Sequence, residues 1–180
     1  MSSEKGYVTF VIRGIALDGT KKTPILLLQD KGERLLLPIW IGTMEAGAIY
    51  TAMEGHETSR PMTHDLLYSI CELSDYRILG VDICDLEDQT FYASLRLETP
   101  DGSILKVDCR PSDGVAMSVR SGGDIRVAHS VLDAAQPIEK NADESEAGIQ
   151  FVSCDDEAGR LRLEAALVEM TPEDFGEFET

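Results

Sequence analysis

The feature that most constrains this chain is a pattern of short apolar runs and helical stretches that occurs twice. Tyr7–Leu17, Pro24–Gln29 and Leu35–Ile41 are strand-like runs rich in Val, Ile, Leu, Thr and Phe, separated by turn residues at Asp18-Gly19-Thr20 and Asp30-Lys31-Gly32. Pro38 marks the third run as an edge or a bulge. From Met44 to Glu54 the period changes: Ala46, Ile49, Tyr50 and Met53 fall on one helix face. A second helix follows, with Thr63 as its cap and Leu66, Leu67, Ile70 and Cys71 as its apolar face. The plan then repeats. Ile78–Leu86, Thr90–Glu98 and Ile104–Cys109 read as strands, and Ser112–Arg120 reads as a helix closed by Ser121-Gly122-Gly123. A short strand, Ile125–Ala128, leads into another helix beginning at Ser130. The expected fold class is α+β: two similar β-β-β-α-α halves forming one curled or barrel-like mixed sheet, with the helices packed outside. An ungapped shift of 68 residues superposes the halves and sets Glu45 opposite Asp113, each at the start of a helix just after a strand.

The length, 180 residues with 43% apolar content, suits one ordinary domain with a tail. Residues 1–136 make the domain, 137–159 an acidic linker, and 160–180 a C-terminal amphipathic helix and tail carrying Leu163, Ala166, Leu167 and Met170. No apolar run approaches the roughly 18 residues needed to cross a bilayer, and residues 1–6 hold no secretory apolar core, so the expectation is a cytoplasmic protein without a membrane partner. Cys71, Cys84, Cys109 and Cys154 lack the close pairing of a structural zinc site and read as free thiols. Charge is uneven: residues 136–180 carry 13 of the 33 acids and 3 of the 16 Lys and Arg, hence −10 of the net −17. A field of that sign repels phosphate backbones at long range, so nucleic-acid binding has to be weak or local.

Polar residues concentrate where strands meet helices: Gly42-Thr43-Met44-Glu45, Arg60-Pro61-Met62-Thr63-His64-Asp65 and Arg110-Pro111-Ser112-Asp113. An acid in a first helical turn is stabilised by the helix dipole by about 0.3–1 kcal/mol, which is reason enough for either Glu45 or Asp113 alone. Together, the inventory suits phosphodiester chemistry. Glu45, Asp65 and Asp113 are candidate ligands for Mg²⁺ or Mn²⁺ and candidate catalytic acids. Arg60, Arg110 and Ser112 are candidates for phosphate binding, and His64 for moving a proton near neutral pH.

Arg60-Pro61-Met62-Thr63-His64-Asp65-Leu66 and Arg110-Pro111-Ser112-Asp113-Gly114-Val115-Ala116 resemble two signature segments of the bifunctional nuclease domain family. Leu37-Pro38-Ile39-Trp40-Ile41-Gly42 with Glu45-Ala46 resembles a third, and Asp85-Leu86 with Thr90-Phe91-Tyr92-Ala93 resembles the family's turn between the halves. The resemblance implies a compact α+β domain with duplicated halves around a barrel-like sheet, a homodimer or larger homo-oligomer, and DNase and RNase activity. Met62 stands where Leu is usual, and Gly114 where Ala is usual. The rival reading is a non-catalytic regulatory or ligand-binding module using the same pocket. Three carboxylates converging within metal-bridging reach and open to solvent mark the enzyme, and carboxylates capped by their own arginines and facing apart favour the binding module or a plain structural role.

Overall fold

A computed structural model describes residues 6–18, 23–56, 58–135, 137–139 and 149–150. The tail helix expected over 160–180, and most of the linker before it, lie outside these residues. Two antiparallel meanders make up most of a single sheet. The first comprises β1 (Tyr7–Asp18), β2 (Pro24–Asp30) and β3 (Leu35–Trp40); the second comprises β4 (Arg77–Glu87), β5 (Thr90–Glu98) and β6 (Ile104–Cys109). Helices α1 (Thr43–Met53) and α2 (Thr63–Leu73) separate them, and α3 (Pro111–Ser121), β7 (Asp124–Ala128) and α4 (His129–Ala135) complete the domain. Two-residue strands β8 (Ile138–Glu139) and β9 (Ile149–Gln150) add to β3 and β1.

The α+β class holds, but the sheet is open. Its strands run β6-β5-β4-β7-β1-β2-β3-β8, and no described pairing joins the two ends into a barrel. Nor is the second half a copy of the first in element order, because β7 is interposed between α3 and α4. That strand joins the meanders: it pairs antiparallel with β1 and parallel with β4. The parallel pairing follows from its route, since α3 carries the chain back across the sheet before β7 begins. Pro38 lies beyond the two residues of β3 that β8 covers, so its missing N–H leaves no gap in the described ladder.

One sheet face, with Phe10, Ile15, Leu26, Leu28, Val81, Ile83 and Val127, builds the main core together with Ile49 and Tyr50 of α1, Val115 and Ala116 of α3, and Val131 and Leu132 of α4. Helix α2 is peripheral. None of its residues is fully buried, and Leu66, Leu67 and Ile70, expected on its packed face, are 56%, 45% and 49% exposed. Its amphipathic period identifies an apolar side correctly but not whether anything covers it.

Asp82 follows Val81 on β4 and therefore points to the opposite sheet face. It is fully buried and ion-paired with Arg96 of β5 at 2.8 Å, Lys106 of β6 at 3.1 Å and Arg126 of β7 at 2.7 Å. The ring of Tyr7 sits under Lys106 and Arg126, 5.8 and 5.1 Å from its centre. Burial works against the charge on Asp82, but the cations outweigh it and hold the carboxyl below its ordinary range. Four neighbouring strands are stapled at this one side chain.

Candidate active site

The site grows from the first turns of three helices. Gly42 caps α1 in an extended conformation, and the Glu45 carboxylate folds back over it, leaving no room for a Cβ at position 42. Arg110 occupies the corresponding cap position of α3, followed by Pro111 at the first helical position, where its missing N–H costs nothing. Gly122, in the left-handed conformation at φ 69°, ends that helix. At the start of α2 the structure corrects the sequence reading. The cap residue is Met62 rather than Thr63, and its N–H donates to Asp65 Oδ2 at 2.8 Å.

Arg110 holds the centre of the arrangement. Its Nε and Nη2 donate to the two carboxylate oxygens of Asp113 at 2.7 and 3.0 Å, and its Nη1 donates to Glu45 Oε1 at 2.7 Å. His64 Nε2 lies 3.3 Å from Asp113 Oδ1, extending the chain of contacts to α2. His64 is largely shielded at 12% side-chain exposure, whereas the Arg110 side chain is 66% exposed. Burial pushes the Asp113 carboxyl upward, but the hydrogen bonds and charge of Arg110, aided by His64, win and keep it below its ordinary value. Asp113, and after it Glu45, raise Arg110 still further, so it is a permanent cation.

Asp65 is drawn elsewhere. Arg120 Nε donates to its Oδ1 at 2.7 Å, and that bond, with the Met62 N–H, lowers its pKa. Arg120 Nη1 also donates to the carbonyls of Ala48 on α1 and Ala116 on α3, at 3.2 and 3.0 Å. This buried guanidinium therefore ties three helices together behind the site. Arg60 does not join the cluster: it is exposed, its carbonyl accepts from Thr58, and its side chain has no ion pair among the described residues.

The three carboxylates proposed as metal ligands do not converge. Among the described residues no group of three or more His, Cys, Asp and Glu side chains stands at metal-binding spacing. Both oxygens of Asp113 and one of Glu45 are engaged by Arg110, and Asp65 faces Arg120. As arranged here, these residues do not fit an Mg²⁺ or Mn²⁺ site, because guanidinium occupies the positions a cation would take.

Glu45, Arg110 and the buried Ser112 line a cleft of about 300 Å³. Trp40, Gln89, Thr90 and Phe91 also line it. His64 and Asp113 stand beside this cleft, behind Arg110.

The bifunctional nuclease domain model matches residues 26–140, which include every residue of this cluster. The chain belongs to that family. Among curated proteins it is 36% identical, over 162 residues, to the uncharacterized proteins Rv1829 and MT1877 of Mycobacterium tuberculosis strains H37Rv and CDC 1551. The match spans 90% of this chain and 94% of each relative. Within this bifunctional nuclease domain, Arg110 contacts Glu45 and Asp113, Asp113 contacts His64, Ser112 lines the cleft beside Arg110, Asp65 pairs with Arg120, and Arg60 joins none of these contacts. Sequence reasoning missed Arg120, whose only signal was a cation in the last turn of a helix whose buried residues are otherwise uncharged. It also missed Gln89 as part of the cleft lining. No described helix is long and apolar enough to cross a membrane.

Proposed function

We propose that this protein hydrolyses phosphodiester bonds of nucleic acid at the Glu45–Arg110–Asp113–His64 cluster. The observation that carries the reading is the state of Arg110. Three of its five N–H groups are committed to Asp113 and Glu45, leaving one on Nη1 and one on Nη2 on an exposed guanidinium beside a cleft. Two outward N–H groups on a fixed planar cation match two oxygens of a phosphate and the charge that grows on them in the transition state. With Nε2–H donating to Asp113, His64 keeps its Nδ1 lone pair for a proton. In the proposed step a nucleophilic hydroxyl, from water or from a ribose, loses its proton to His64 as its oxygen attacks phosphorus. The bond to the leaving oxygen breaks, and that oxygen takes a proton from solvent. Asp113 bears the resulting imidazolium, and Glu45 aims Arg110. Family membership supports the reaction class.

A second reading is favoured by one specific observation. Each of the three candidate carboxylates is capped by an arginine, as a module that holds an anion without cleaving it would require. The deciding experiment is an assay of purified protein on single- and double-stranded DNA and on RNA, with Mg²⁺, Mn²⁺ or EDTA, beside Asp113→Asn. Cleavage that disappears in the variant, with an unchanged melting temperature, supports the enzyme. Binding without cleavage under every condition supports the module. Cleavage equal in both proteins places the activity elsewhere.

A further inference from the structure

We propose that the cleft beside Arg110 is a base-binding subsite for single-stranded nucleic acid, with Trp40 as its stacking platform. This rests on the phosphodiester reading above and names its substrate class. Trp40 is the only tryptophan in the chain, and it is 53% exposed at the end of β3, although tryptophan is usually among the more deeply covered residues. A ring left open at the wall of a cleft offers a π-face that every base can stack on.

The hairpin between β4 and β5 also lines this cleft. Asp88 and Gln89 adopt φ of 45° and 63°, the left-handed pair that closes a two-residue turn, and this turn delivers Gln89 and Phe91 to the cleft. The amide of Gln89 carries both donors and an acceptor, suited to the hydrogen-bonding edge of a base. That edge is free only when the base is unpaired. About 300 Å³ is at the small end of ligand pockets, room for one base with its sugar and none for a duplex. Charge points the same way. A chain of net −17 repels a duplex, with one phosphate per ~1.7 Å of axis, more strongly than a single strand, while Arg110 offers a local cation for one phosphate.

Because Trp40 is the sole tryptophan, its fluorescence reports this cleft directly in the full chain. The probes are a six-nucleotide oligothymidylate with hydrolysis-resistant phosphorothioate links, an abasic strand of the same length and linkage, and a twelve-base-pair duplex. Acrylamide should quench the free protein freely. Oligothymidylate should then quench Trp40 and bind at least 10-fold more tightly than the duplex, and the abasic strand should bind without quenching. Trp40→Ala should weaken oligothymidylate binding, read by anisotropy of a labelled strand, about 5- to 150-fold, the equivalent of ~1–3 kcal/mol per stacked base. Trp40→Phe should recover most of that loss. Equal binding of abasic and thymidylate strands would overturn the subsite, as would a Trp40 already shielded from acrylamide, which would mean another surface covers it. If abasic strands bind equally well yet RNA or DNA is still cleaved, the subsite fails and the nuclease reading stands. If the quenching pattern appears without cleavage, the nuclease reading fails and the base subsite stands.

Discussion

Arg110 Nη1 lies 2.7 Å from Glu45 Oε1, joining the first turns of two helices that are 65 residues apart in the chain. Each helix follows directly from the last strand of its own meander, so one guanidinium sets the distance between the two meanders at the site. The same group holds Asp113 in a two-point grip, which leaves its plane no freedom to rotate.

Replacing that plane by a point charge is the sharpest test of its role. Arg110→Lys keeps the cation but loses the fork, and kcat/KM for nucleic-acid cleavage should fall about 100- to 1,000-fold. The residue is mostly exposed, so stability should change by less than about 1 kcal/mol. Steady-state kinetics alongside a thermal melt separates the two effects. Full activity in the lysine variant would show that charge alone suffices.

Arg120 should behave in the opposite way. It is buried and satisfies Asp65 and two helix carbonyls, all of which lose a partner in Arg120→Met. The expected cost is about 2–4 kcal/mol, reduced from that of a fully buried pair because Asp65 is partly exposed. In a domain of this size that lowers Tm by roughly 5–15 °C. Asp65→Asn should likewise lower Tm while leaving kcat at low temperature within about threefold. A collapse of kcat in a fully folded Asp65→Asn protein would restore Asp65 to the chemistry.

Acid should unfold the protein through Asp82. Its folded pKa lies below the ordinary aspartate value of 3.8, so the unfolded chain binds the proton more readily. The stabilisation is therefore complete above that value and is lost as pH falls below it. Urea midpoints should be flat from about pH 7 to 5 and drop steeply below about pH 4. Asp82→Asn should cost about 3–5 kcal/mol at neutral pH, since three cations lose their shared partner, and should flatten the acid limb. An unchanged limb would assign acid sensitivity to other carboxylates.

Gly123 tests the packing of the turn between α3 and β7 against β4. A Cβ there would lie 2.8 Å from Gly80 Cα, Gly80 N and Leu79 O, all atoms that cannot rotate away. Gly123→Ala should destabilise by about 1–3 kcal/mol, read from the denaturant midpoint at constant m. Gly114→Ala would press on the buried Val81, whose Cβ cannot rotate away, and on the Cys109 thiol, and should destabilise by a similar amount.

Local features were legible in the sequence, and pairings across distance were not. The strand boundaries follow from alternation and from turns such as Asp30-Lys31-Gly32, and α3 announces itself by Pro111 and Gly122. Glu45 and Asp113 are found together because both stand at the same step of a repeated plan. Asp65 looked equally catalytic, since nothing near it in sequence reveals Arg120, 55 residues on. Nothing in the strand pattern of Ile78–Leu86 singles out Asp82, because alternation names a face and says nothing of the cations that meet there. The closed barrel was an extrapolation from two similar halves; the place of β7 depends on which strand edges remain free after both meanders have formed.

The position of β7 bears on how the chain comes off the ribosome. Both meanders are local in sequence and can form as soon as they emerge, yet neither has the other as a neighbour. The strand between them is the last of the seven long ones to be translated. Until residue 128 is free of the exit tunnel, β1 and β4 each present an unpaired inner edge, and the nascent protein is two half-sheets joined by α1 and α2. The joining of the two half-sheets therefore waits for a keystone, and any pause in synthesis before that point prolongs the interval in which those two edges can find the wrong partner.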